Sequence, residues 1–162
     1  AVRLGKLADS TLGAAYLGLN PWVLAASPGY LKAHGRPRKP QDLGRHEALI
    51  YSTVQGDERW LLSGADGRQI SVSVRGRLRS NNLSMLLAAA RQGFGIAALP
   101  RYVAHRSLTE GALTSVLDDW ALPSQEVHAV FPSPRMVPAK VRLLITWLQS
   151  QFGPDWWARP ND

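Results

Sequence analysis

Residues 80–100 read SNNLSMLLAAARQGFGIAALP, and this stretch decides the fold. Ser80, Asn81 and Asn82 offer side-chain oxygens that can cap the open N–H groups of a new helix. Leu83, Leu86, Leu87 and Ala90 then recur at the i, i+3, i+4, i+7 spacing of one buried helix face. Gly93 stands where a left-handed C-cap is needed, and Gly95 follows. Ile96 to Leu99 is a continuous apolar run, the pattern of a strand covered on both faces, and Pro100 ends it. A helix feeding directly into a covered strand is α/β architecture. Its exposed start, rich in N–H donors, is a place to hold a small polar ligand.

The same grammar extends outward in both directions. Upstream, Ala1 to Leu4 reads as the end of a strand and is apolar from its first residue, which suggests a piece of a longer chain. Trp22 to Ala26 is a second apolar run, and Ser27-Pro28 opens a helix over Gly29 to His34. Gly35 to Asp42 is a basic, proline-rich connector. Ala48 to Tyr51 is a short strand, followed by a polar loop. Arg59 to Arg75 has the pattern of a hairpin, with Trp60 to Leu62 in one arm and Asp66-Gly67 at the turn. Ile70, Val72 and Val74 alternate in the other arm.

Downstream, a helix is expected from about Arg101 to Leu108, a strand near Leu113 to Leu117 and another at Val127 to Phe131. Pro138 opens a last helix with Val141, Leu144, Ile145 and Leu148 on one face. Trp22, Trp60, Trp120 and Trp147 fall within apolar patterns and are expected in the core. Trp156 and Trp157 either seal the last helix or form a contact patch. Strands alternating with helices, interrupted by one hairpin, favour a mixed α/β sheet.

Composition excludes several classes. The chain has 162 residues, 45% hydrophobic and 19% charged, an ordinary globular balance. No apolar run approaches the roughly 20 residues that span a bilayer, and no basic start followed by an apolar core opens the chain. Absence of cysteine removes disulfides and thiolate chemistry, and a cytoplasmic location is expected. The net charge of +7 is spread along the sequence rather than concentrated. Arg75, Arg77 and Arg79 alternate, but no aromatic residues interleave with them, so a solvated face is expected over a nucleic-acid stripe.

Catalysis finds little support. His34, His46, His105 and His128 lack metal-ligand spacing, and no G-x-S-x-G nucleophile elbow occurs. Asp118-Asp119 reads as a loop acid pair. Gly93-Phe94-Gly95 follows a helix rather than preceding one, which removes it as a phosphate loop. No catalytic residue, metal or cofactor is therefore expected.

Three ordered segments resemble the effector-binding domain of LysR-type transcriptional regulators. They are AVRLGKLADSTL…WVLAASPGYLKAHGRP (residues 1–37), PQDLGRHEALIYS (40–52) with the W-x-L hairpin after it, and SNNLSMLLAAARQGFGIAALPRYV…LTEGALTSVL, closed by HAVFPSPRMVPAKVRLLITWL. The resemblance runs from Ala1 to about Phe152. It implies a type II periplasmic-binding-protein-like fold, a mixed-sheet lobe with remnants of a second. Residues 22–126 would form the second lobe, 1–21 with 127–152 the remnants of the first, and 153–162 a tail.

It also implies a small-molecule effector, a carboxylate in the first instance, held between the lobes. Arg3 would pair with it through its planar donor fork or stand as a surface arginine at a strand end. Ser52 and Thr53 would hydrogen-bond it or form a turn. Asn81, Asn82 and Leu83 would form one wall, with capping taking at least one of the asparagines. His128, on the returning strand, would face the cleft as a ligand contact or else be a structural or surface histidine. DNA would be reached only through a helix-turn-helix outside this sequence, and a homodimer or homotetramer is implied, with no membrane role. A type II solute-binding protein of a transport system shares this architecture and is the alternative, with a small α/β enzyme behind it.

Overall fold

The computed structural model describes residues 1–5, 12–52, 58–132 and 137–158. The chain divides into two compact units, one of Ala1–Asn20 with Ser124–Asp162, the other of Pro21–Pro123.

The second unit is built on five strands: β3 (Trp22–Ala26), β4 (Glu47–Tyr51), β7 (Arg75–Ser80), β8 (Ile96–Pro100) and β9 (Thr114–Val116), in the order β7-β4-β8-β3-β9. β4 runs parallel to β7 and β8, whereas β3 is antiparallel to β8 and β9. The sheet is mixed, as the sequence pattern predicts. Every residue of β3 and of β8 is buried. The reason is visible in the alternation. Trp22, Leu24, Ala26, Ile96 and Ala98 enter one core, and Val23, Ala25, Ala97 and Leu99 enter the other. Two covered faces leave no polar side for period 2 to mark.

Helices α2 (Leu83–Arg91) and α3 (Arg101–Thr109) close one face through Leu86, Ala90 and Ala104. The hairpin β5 (Arg59–Gly64) and β6 (Gln69–Ser73) closes the other with Trp60, Leu62 and Val72, joined by helix α1 (Pro28–His34) through Tyr30. Trp60 faces Val72 and Leu62 faces Ile70 across the hairpin. Ser27 caps α1 by accepting from the Tyr30 N–H at 3.2 Å. Gly95 has no alternative residue: a Cβ there would collide with the Glu47 carbonyl oxygen, where β8 begins beside β4.

Several boundaries differ from the sequence reading. The hairpin arm stops at Ser73, and Val74 turns the chain into β7, an edge strand that pairs with β4. Each of its arginines has a partner: Arg75 lies 3.6 Å from Glu47, Arg79 lies 3.4 Å from Glu58, and Arg77 stacks over Phe94 at 5.0 Å. The basic connector ends in a 3-10 turn over Pro40–Arg45, where Asp42 Oδ2 accepts the N–H groups of Arg38 and Lys39. Those two donors hold the Asp42 carboxyl below the usual carboxylate range. The strand expected to reach Leu117 stops at Val116, because Leu117 adopts a left-handed φ of 56°. A two-residue strand, β10 (Trp120–Ala121), then adds to β5.

The first unit is a three-stranded antiparallel sheet, β1 (Val2–Leu4), β11 (Gln125–Phe131) and β2 (Gly13–Asn20), in that order. Helix α4 (Ala139–Gln151) packs on it through Ile145, Leu148 and Phe152, against Leu17, Val127 and Ala129. Gly18 permits this approach, since a Cβ there would sit 2.8 Å from the Phe152 carbonyl oxygen. Three expectations are corrected. Leu144 is 53% exposed and Trp147 58% exposed, so neither is core. The sheet under α4 is narrow, and a single stripe of the helix suffices to cover it. Trp120 is half-buried beside the larger core rather than within it. Trp156 packs on Phe152 at 4.9 Å and donates from Nε1 to the Leu19 carbonyl at 2.8 Å, which seals the end of the helix.

Candidate ligand-binding site

Parallel strands that feed helices leave a crevice at their carboxyl ends, and helix starts there present unpaired N–H groups. In the second unit this place lies where β4 and β7 finish and α2 begins. The Ser52 N–H donates to the Ser80 carbonyl at 3.0 Å, which ties the two strand ends together. Ser80 Oγ accepts the Asn82 N–H at 3.0 Å. Asn82 is the N-cap: its Oδ1 accepts from the N–H groups of Ser84 at 2.9 Å and Met85 at 3.2 Å.

The cap therefore consumes part of what a ligand would use. Asn81 stays exposed, Leu83 is half-buried against both cores, and Ser52 is half-buried. The structure thus brings Ser52, Asn81, Asn82 and Leu83 together. Thr53 lies outside the described residues.

Two tyrosines that sequence reasoning missed stand at the same end of the sheet. Tyr51, the last residue of β4, packs its ring 5.8 Å from that of Trp22. Tyr102, in the first turn of α3, follows Pro100, which pairs with Trp22 across β3 and β8. Burial, together with the charge of the neighbouring Tyr51, raises the Tyr102 phenol above its ordinary value. The only local signal is an aromatic residue directly at, or just after, a strand end.

Arg3 and His128 belong to the first unit, where they face one another across β1 and β11. Arg3 is exposed. The His128 side chain is only 13% accessible, with Nε2 3.5 Å from Glu126 Oε2 and the ring edge-on to Tyr16 at 5.8 Å. Its Nδ1 is buried without a hydrogen-bond partner among the described residues. Asp118 and Asp119 occupy a turn, and Asp118 lies 3.9 Å from Arg36. Among the described residues no group of three or more His, Asp or Glu side chains is placed to hold a metal ion.

The second unit is thus a mixed α/β lobe in which strand ends and a helix start converge at one end of the sheet. Residues 1–153 match the LysR substrate binding domain family, and the chain belongs to that family. It is 33% identical over 153 residues to the HTH-type transcriptional regulator PtxR of Pseudomonas aeruginosa, covering 94% of this chain and 49% of that protein. An HTH-type transcriptional regulator of Haemophilus influenzae is also 33% identical, over 87% of this chain and 49% of its own length. The chain thus spans about half the length of the curated relatives it matches. Among solved structures, the full-length virulence activator AphB of Vibrio cholerae superposes with a TM-score of 0.79 at 28% identity. That match covers 93% of this chain and 51% of AphB.

Proposed function

We propose that this chain is the effector-binding part of a LysR-type transcriptional regulator. It takes a small anionic metabolite, a carboxylate, in the inter-lobe cleft that membership of the family implies. The observation that carries the reading is the family match over residues 1–153, which includes the strand ends and helix start that hold Ser52, Asn81, Asn82 and Leu83. Arg3 supplies the planar donor fork suited to a carboxylate, and Thr53 and His128 complete the proposed ligand set.

Binding would shift populations of domain arrangements rather than transform the ligand, so the chain acts without catalysis. The signal would reach DNA through a helix-turn-helix in the parent protein, in the cytoplasm and within a homodimer or homotetramer. That the relatives are regulators by name favours this over a transport solute-binding protein. No helix among the described residues is long and apolar enough to cross a membrane.

The test is a thermal-shift screen of small carboxylates. A ligand that binds the folded state raises its apparent stability by mass action. At least one carboxylate is expected to raise Tm with saturation. No saturable rise across a broad panel counts against the reading.

A further inference from the structure

A concavity of about 610 Å³ opens in the second unit between α1 and the C-terminal end of α2. It lies away from the strand-end site described above. β3 starts at that site, where Trp22 pairs with Pro100, and finishes at the concavity, where Ala26 pairs with Thr114 and Ser27 follows. Helix α2 likewise begins at Asn82 and reaches the concavity with Arg91. The volume falls in the usual range for small-molecule sites, about 300–1,000 Å³.

Its construction favours a particular ligand. Small residues keep it open: Gly29 has nothing within 4 Å of a notional Cβ, and Ala33 lines the wall. Gly93, at φ +77°, has Ser27 Oγ only 3.3 Å from where its Cβ would stand, so a larger residue would crowd the floor.

The basic groups of the lining are Arg91 and His34, and no carboxylate lines it. Glu110, which feels the charge of Arg91, is already bonded to Arg106 at 2.7 Å. Arg91 has no ion pair or side-chain hydrogen bond among the described residues, although it sits where a helix C-terminus welcomes a cation. His34 is held in a fixed pose by stacking on Tyr30 at 4.3 Å and by its Nδ1–H, which donates to the Tyr30 carbonyl at 3.1 Å. That bond leaves Nε2 open, an acceptor in the neutral ring and a donor toward a carboxylate only in the imidazolium. The Tyr30 hydroxyl is taken up by His46 at 3.2 Å and the Glu47 N–H at 3.0 Å, so the phenol does not compete.

We infer that this concavity is a second small-molecule site, one that takes a compact carboxylate with an apolar body, its oxygens on Arg91 and beside His34. An arginine fork without a partner, a positioned histidine and an apolar wall of Pro28, Ala33 and Ala112 match the two halves of such a ligand.

Sodium benzoate serves as the carboxylate probe, titrated into the intact chain while the Arg91 Nε–H and His34 ring signals are followed by NMR. Both are expected to shift together and saturate. Arg91→Gln should weaken the binding read at His34 roughly tenfold or more, and Ala33→Phe should abolish it by filling the space. Arg38→Gln, which removes an equal charge elsewhere, and Ser52→Ala, at the strand-end site, should each leave it unchanged. Ser52→Ala thereby separates this site from the proposed effector site. Shifts that never saturate, or equal losses in Arg91→Gln and Arg38→Gln, would overturn the inference. Inorganic phosphate is the second arm: if it binds as tightly as benzoate, the apolar wall contributes nothing and the carboxylate assignment fails.

Discussion

Asn82 satisfies two helix N–H groups with one side-chain oxygen, and its replacement should show the size of that effect. Asn82→Ala is expected to lower stability by about 1 kcal/mol, read from urea denaturation, whereas Asn82→Asp should lose far less because the acceptor remains. His46 makes a separate residue-level prediction. Burial, aided by the charge of His34, lowers its pKa in the folded chain. The unfolded chain then binds a proton more readily, so the stability due to neutral His46 is complete above the ordinary histidine pKa of about 6.5 and declines as pH falls below it. The urea midpoint should therefore drop between pH 7.5 and pH 5.5, and His46→Gln should remove part of that drop. An undiminished drop in the variant would show that other groups cause it. The cap was legible in the sequence because caps are local. The Tyr30–His46 contact was not, since it spans residues brought together by the 3-10 turn at Pro40–Arg45.

The elements differ in how far their patterns carried. Helix α2 and strand β8 could be read almost residue by residue, because cap, stripe, stop glycine and apolar run all lie within 21 consecutive positions. Strand β7 was hidden. Its sequence, RGRLRS, has little β-character, and it is held by parallel pairing with β4, a long-range contact. The α4 stripe was partly misjudged, since helical spacing shows which residues can share a face but not how wide a surface awaits them. The structure places Ile145 inward but leaves Leu144 53% and Trp147 58% exposed, beside Leu143 at 72%. Leu143→Lys and Trp147→Lys should each change stability by less than about 0.5 kcal/mol. Ile145→Ala should cost more than either, about 1–2 kcal/mol for a half-buried side chain. A larger loss from Trp147→Lys than from Ile145→Ala would mean that the outer face of α4 is covered in solution.

At the scale of the whole molecule, fold and family were recognisable because ordered segments run through nearly the whole chain, and the family match over residues 1–153 agrees. The site was only partly legible. Ser52, Asn81, Asn82 and Leu83 converge because β4 and β7 are parallel neighbours, a fact that no local pattern states. Tyr51 and Tyr102 join that end because β8, which α3 follows, runs parallel to β4. Arg3 and His128 pair with each other in the other unit, so their part in binding rests on the family likeness. The central proposal is that Ser52 and Arg3 each contact a small carboxylate. Isothermal titration, with the carboxylate that most raises Tm, of the unaltered chain and of the Ser52→Ala and Arg3→Ala variants tests it most directly. Affinity is expected to fall roughly tenfold in each variant. Unchanged affinity in both would contradict it.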